Sequence, residues 1–105
     1  MLTCTVYNNT INQVYKINLT PKAKKQLAKI PAYIVTKLQA WVEGVSHDGI
    51  SEVRKISGYH DEPLHGSRTG QRSIRLNKSY RAIYTELDSG EIFFIEIIEV
   101  HNHEY

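Results

Sequence analysis

Two short runs near the start of the chain, 3 to 7 (TCTVY) and 14 to 19 (VYKINL), are rich in β-branched and aromatic side chains and are separated by an Asn-rich stretch. This pattern predicts an N-terminal hairpin. The period then changes. Thr20-Pro21 pairs an N-cap residue with proline at the first helical position, which predicts a helix running to about Ile30 with Lys22, Lys24, Lys25 and Lys29 exposed. Pro31 separates it from a second helix, in which Ile34, Leu38, Trp41, Val42 and Val45 recur at helical spacing and form one apolar stripe. That stripe, Trp41 included, reads as core. Gly49 and Gly58 bracket a short amphipathic piece carrying Ile50, Val53 and Ile56, and YHDEPLHGSRTG follows as a loop. RSIRLNKSYRAIY then reads as two antiparallel strands, and IFFIEIIEV, residues 92 to 100, as a last strand. Its nearly continuous apolar character predicts a central position with both faces covered, or nearly so. The acids within it, Glu96 and Glu99, must then reach the sheet rim or pair with the basic strands. The expected class is α+β: an N-terminal strand or hairpin, a helical hairpin, then a three-stranded antiparallel sheet.

A chain of 105 residues, 41% hydrophobic and 23% charged, makes a single domain with one core. Its one cysteine, Cys4, allows neither an internal disulfide nor a cysteine-rich metal site. No apolar run reaches the roughly 18 residues of a membrane span, and the polar first dozen residues do not form a signal peptide. A reducing, cytoplasmic location without membrane association is expected.

The formal net charge of +2 hides strong segregation. Residues 1 to 42 carry six lysines and no acid, and 63 to 85 carry Arg68, Arg72, Arg75, Lys78 and Arg81 and no acid. Five acids fall in 43 to 62 and six in 86 to 105. A fold that joins the two basic blocks would present a positive face to a polyanion, whereas separate blocks would be ordinary solvated surface. Asp61 and Glu62 precede the second block, and the chain ends His101, Asn102, His103, Glu104, Tyr105. Guanidiniums, a carboxylate and imidazoles together suit phosphodiester chemistry that needs no metal. A His-x-His metal site at the terminus is an alternative without an evident third ligand. A frayed polar tail is another. Arg75 has opposite parity to Ile74 and Leu76 and faces solvent if those two face the core; Arg81 shares its face with Ile83, opposite Ala82 and Tyr84.

With GYHDEPLHGSRTGQRSIRLNKSYRAIY and a terminal HNHEY, the chain resembles the RelE/ParE toxin superfamily, in particular mRNA interferases of the RelE, YoeB and HigB type. The resemblance covers residues 14 to 105, is most specific over 62 to 84, and leaves the first twelve residues outside as an extension of a single RelE-like domain spanning 1-105. It implies the toxin of a type II toxin–antitoxin system that cleaves mRNA in the ribosomal A site. Its partner would be a cognate antitoxin, in a complex that can be a higher oligomer, and no cofactor or metal is implied. By the same resemblance Glu62 is the general base, Arg81 stabilises the phosphoryl group, and His103 and Tyr105 supply the general acid and the ring that stacks on or orients a base. Arg75 matches a basic position on the preceding strand. Arg72 and Lys78 would touch the substrate backbone, and His65 and His101 complete the RNA-binding candidates. YoeB-like chains end His-Tyr, whereas Glu104 intervenes here, which leaves His101 and His103 both open as the acid. On the same fold, a ParE-type protein that poisons DNA gyrase, or a catalytically silent RNA-binding domain, are the competing functions.

Overall fold

A computed structural model describes residues 4–8, 13–88 and 92–102. The expected N-terminal hairpin is formed by β1 (Cys4–Asn8) and β2 (Gln13–Leu19), paired antiparallel from Cys4 opposite Ile17 to Asn8 opposite Gln13. Three helices follow: α1 (Pro21–Leu27), α2 (Ala32–Asp48) and the single turn α3 (Ile50–Val53). The remaining strands are β3 (Glu62–Pro63), β4 (Gln71–Arg75), β5 (Tyr80–Asp88) and β6 (Ile92–Asn102). Among the described residues six strands form one mixed sheet in the order β1-β2-β6-β5-β4-β3. The predicted antiparallel trio is therefore β4, β5 and β6, extended on one side by β3 and on the other by β2, which runs parallel to β6. Parallel neighbours need a long crossover, and here the chain between β2 and β6 supplies it. β6 is central, as its apolar run required.

The Thr20 hydroxyl caps α1 by accepting from the Ala23 N–H at 3.1 Å, with Pro21 in the first turn. α1 ends at Leu27 rather than near Ile30. Lys29 N–H already turns back to the Gln26 carbonyl, and a residue before proline avoids the helical region, so Pro31 closes the segment early. In α2 every stripe residue is buried: Ile34, Leu38, Trp41, Val42 and Val45. They meet Ile17, Leu19, Ile74, Ala82, Tyr84, Ile97 and Val100 from one face of the sheet. Trp41 stacks at a tilt on Tyr84, ring centroids 5.0 Å apart. Gly49, at φ 86°, lets the chain break from α2 into α3, where Ile50 and Val53 are buried. Ile56, the third apolar residue of the expected amphipathic piece, is 52% exposed. α3 stops at Val53, and Arg54 is drawn to Tyr84 and Glu86 on the sheet, which turns the next residues outward.

β2 leaves β6 at Leu19, opposite Ile97, so the C-terminal half of β6 would expose a bare edge. α1 covers it. Thr20 N–H donates to the Ile97 carbonyl at 3.0 Å, the Thr20 hydroxyl bonds the Ile98 carbonyl, and Val100 N–H donates to Gln26 Oε1 at 2.7 Å. None of the helices is long and apolar enough to cross a membrane, among the described residues.

Candidate functional site

Alternation along β4 and β5 sends two sets of side chains to opposite faces. Ile74, Ala82 and Tyr84 enter the core beneath the helices, while Ser73, Arg75, Arg81 and Ile83 lie on the face that the helices leave open. Arg81 thus shares the open face with Arg75. A register shift between Ile83 and Tyr84 places one extra residue, Ile98, in β6, so Ile97 and Val100 both face the core and Glu99 stands opposite Ile83 on the open face.

Glu62 and Arg81 meet on this open face. Glu62 lies on β3, opposite Ser73 on β4, and its carboxylate is 3.5 Å from Arg81 Nη1. Arg81 Nη1 also donates to the Ser73 hydroxyl at 3.0 Å. The Arg81 side chain is nearly covered whereas that of Glu62 is more than half exposed. Arg75 and Arg81 are direct cross-strand partners on one face. Like charges directly opposite destabilise a sheet, and an anion placed between them removes the conflict. Among the described residues Arg75 has no acidic partner. Lys78 is exposed in the β4–β5 turn, which is built on Asn77 Oδ1 accepting from the Ser79 and Tyr80 amides at 2.7 and 2.8 Å. His65 is exposed on the loop between β3 and β4.

The candidate residues divide unequally between the two faces. Arg72 turns to the helix side, where its Nε donates to Asp61 Oδ1 at 2.6 Å and its side chain is largely covered. β6 runs to Asn102, two residues past the expected end, and brings the His101 backbone opposite Arg81. His103 and Tyr105 lie outside the described residues.

Two features of the region were not singled out as functional from sequence. On the open face Glu99, whose side chain is 6% exposed, receives Arg68 Nη2 on one oxygen at 2.5 Å and Lys22 Nζ on the other at 2.6 Å. Arg68 is further held by Gln71 at 2.8 Å. The two basic blocks thus touch at this carboxylate, because α1 lies along β6. On the helix side, the Asp61 side chain is shielded completely from solvent. It accepts from Arg72 and, at 2.5 Å, from the Tyr84 hydroxyl, and Arg54 links Tyr84 to Glu86 at 3.1 and 2.9 Å. Burial, reinforced by the bond to Asp61, pushes the Tyr84 hydroxyl pKa above its ordinary value, against the opposing pull of Arg54. Burial would lower the Arg54 pKa, but the bonds and attraction from Tyr84 and Glu86 outweigh it and raise it. The alternation Asp61-Glu62 beside a proline was the available sequence signal for this cluster. A recess of ≈ 450 Å³ lined by His47, Asp48, Glu52, Val53 and Ile56 involves none of these groups.

No protein-family model and no curated protein sequence matches this chain. Solved structures do. The YoeB/ParE toxin from Agrobacterium tumefaciens superposes with a TM-score of 0.66 at 20% identity, over 84% of this chain and 98% of that one. The YoeB-YefM complex from Staphylococcus aureus gives 0.62 at 24% identity, over 84% and 95%. The E. coli DinJ-YafQ toxin-antitoxin complex gives 0.62 at 18% identity, over 83% and 90%. These chains share the fold of this protein.

Proposed function

We propose that this protein, which has the fold of the RelE/YoeB-type toxins, is the toxin of a type II toxin–antitoxin pair and an endoribonuclease that cleaves mRNA on the ribosome. The observation that carries the reading is the meeting of Glu62 with the Arg75–Arg81 pair on the open face of the sheet. Cleavage of RNA through its own 2′-hydroxyl needs a base, an acid and positive charge on the phosphoryl oxygens. Glu62 is the base. With the scissile phosphate seated on Arg81 and Arg75, the phosphate oxygens take the place of the Glu62 carboxylate beside Arg81. Glu62 is then free to take the 2′-proton, the 2′-oxygen attacks phosphorus, and the bond to the 5′-oxygen breaks. His103 or His101 returns a proton to the departing oxygen, and Tyr105 stacks on an unpaired base. The products are a 2′,3′-cyclic phosphate and a 5′-hydroxyl. Ser73 keeps the Arg81 fork in place through its 3.0 Å bond.

The charge of the site is supplied by guanidiniums, so the proposed chemistry calls on no metal. Lys78 and the exposed lysines of α1 hold the flanking RNA backbone, with Arg68 and Lys22 at the rim beside Glu99. The cognate antitoxin silences the enzyme by covering this face or displacing the C-terminal tail.

Induced expression with mapping of RNA 5′ ends tests the function. Arrest accompanied by new 5′ ends within translated mRNA, absent from a Glu62→Gln strain, is the expected result. Arrest with intact mRNA and broken DNA would replace this reading with gyrase poisoning.

A further inference from the structure

The polar cluster on the helix side of the sheet lies directly behind Glu62, and the cleavage scheme makes no use of it. Its centre is Asp61, a carboxylate with no solvent exposure. Burying a carboxylate is costly unless charged and hydrogen-bonding partners surround it, and here three do. Arg72 Nε donates at 2.6 Å, the Tyr84 hydroxyl at 2.5 Å, and Arg54 Nε stands 3.7 Å away. The partners are themselves restrained. Tyr84 is fixed by its ring contact with Trp41, and Arg54 by its bonds to Glu86.

The strand that carries Glu62 needs such support. β3 has only two residues, one of them Pro63, which has no amide proton to give to the ladder. It sits at the end of the sheet order and follows a 3-10 turn, Ser57–Tyr59, and a left-handed residue, His60 at φ 46°. The Leu64 amide donates to the Gln71 carbonyl at 2.9 Å just beyond it. Adjacent residues of an extended segment project to opposite faces, so fixing Asp61 on one side fixes where Glu62 emerges on the other.

We propose that Asp61, clamped by Arg72, Tyr84 and Arg54, is a positioning residue that holds Glu62 at the scissile phosphate. The proposal rests on the assignment of Glu62 as general base. It makes Arg72 a support of the site from behind, through its bond to Asp61.

The test is a mutant cycle read by single-turnover mRNA cleavage on programmed ribosomes, with substrate affinity measured separately. Folded Asp61→Asn should cleave tens of times more slowly, towards the roughly 10²-fold that a displacement of about 1 Å can cost. Affinity should change little, because Arg75, Arg81 and Lys78 are untouched. Tyr84→Phe keeps the ring on Trp41 and removes one of the bonds to Asp61, and should slow cleavage by up to about tenfold. In a Glu62→Gln background neither change should slow cleavage further, since no base remains to misplace. A merely structural Asp61 would slow both backgrounds by the same factor, and that result overturns the proposal. So does wild-type cleavage by folded Asp61→Asn. If Asp61→Asn does not fold, the cycle is decided by Tyr84→Phe on the same criteria. Wild-type cleavage by Glu62→Gln would instead overturn the base assignment, and the positioning role with it; loss in Glu62→Gln with none in the other two overturns the positioning role alone.

Discussion

Replacing Arg81 separates fold from chemistry at this site. The interactions that Arg81→Ala removes include the 3.0 Å bond to the Ser73 hydroxyl and the 3.5 Å ion pair with Glu62. A neutral hydrogen bond contributes about 1 kcal/mol net, somewhat more when one partner is charged, and an ion pair with a half-exposed carboxylate about 0 to 1 kcal/mol. Relief of the repulsion between Arg75 and Arg81 offsets part of that. These two interactions together account for about 1 to 2 kcal/mol, well inside the roughly 5 to 15 kcal/mol that keeps a domain folded. On the chemical side, removal of one preorganised donor aimed at developing charge costs about 10² to 10³ in rate, or roughly 3 to 4 kcal/mol. Arg81→Lys keeps the charge but has no fork to bond Ser73 and a phosphate together, so its rate should fall between the two. Thermal unfolding monitored by circular dichroism gives the first quantity, and single-turnover cleavage on programmed ribosomes the second. If Arg81→Ala melts as a folded protein and cleaves at the wild-type rate, Arg81 does not stabilise the transition state and the site has been misread.

Binding of ribosome or RNA should weaken steeply with salt, and Lys78→Ala should flatten the slope, whereas Arg72→Ala, whose guanidinium is committed to Asp61, should alter melting more than the slope; filter binding over a salt series decides. Alkaline stability should depend on Tyr84. With its folded pKa raised, first by burial, the unfolded chain ionises first, so stability is full below the ordinary value of about 10 and falls as pH rises beyond it. Denaturation in Tyr84→Phe should lose part of that decline, and an unchanged alkaline limb would contradict it. At the C-terminus, His101→Ala and His103→Ala compared by cleavage rate identify the acid, and Tyr105→Phe should cost less than Tyr105→Ala if the ring stacks. Hydrogen exchange with and without an antitoxin should show new protection over 68 to 81 or 99 to 105, and protection confined to a remote surface would refute occlusion of the site.

Local signals in the sequence were enough to place the helices and the longer strands, but not the two-residue β3 inside the stretch that reads as a loop. The Thr20-Pro21 cap, the stripe from Ile34 to Val45 and the unbroken apolar run of β6 depend on neighbours within a few residues, and helix and strand periods follow from backbone geometry. The opposite parity of Arg75 to Ile74 and Leu76 was legible for the same reason, since alternation is local. What lay beyond the sequence was register and distance. That Arg75 stands opposite Arg81, that Glu62 reaches Arg81 from the far side of β4, and that α1 carries Lys22 to Glu99 depend on which strands adjoin and where Ile98 inserts its extra residue. Arg72 shows the difference most directly. Its charge and its place in a basic run pointed to RNA, but a single step of strand parity sends it through the sheet to Asp61. Side-chain direction on a strand reverses at every residue, so a contact of long sequence separation is decided only once the sheet has closed.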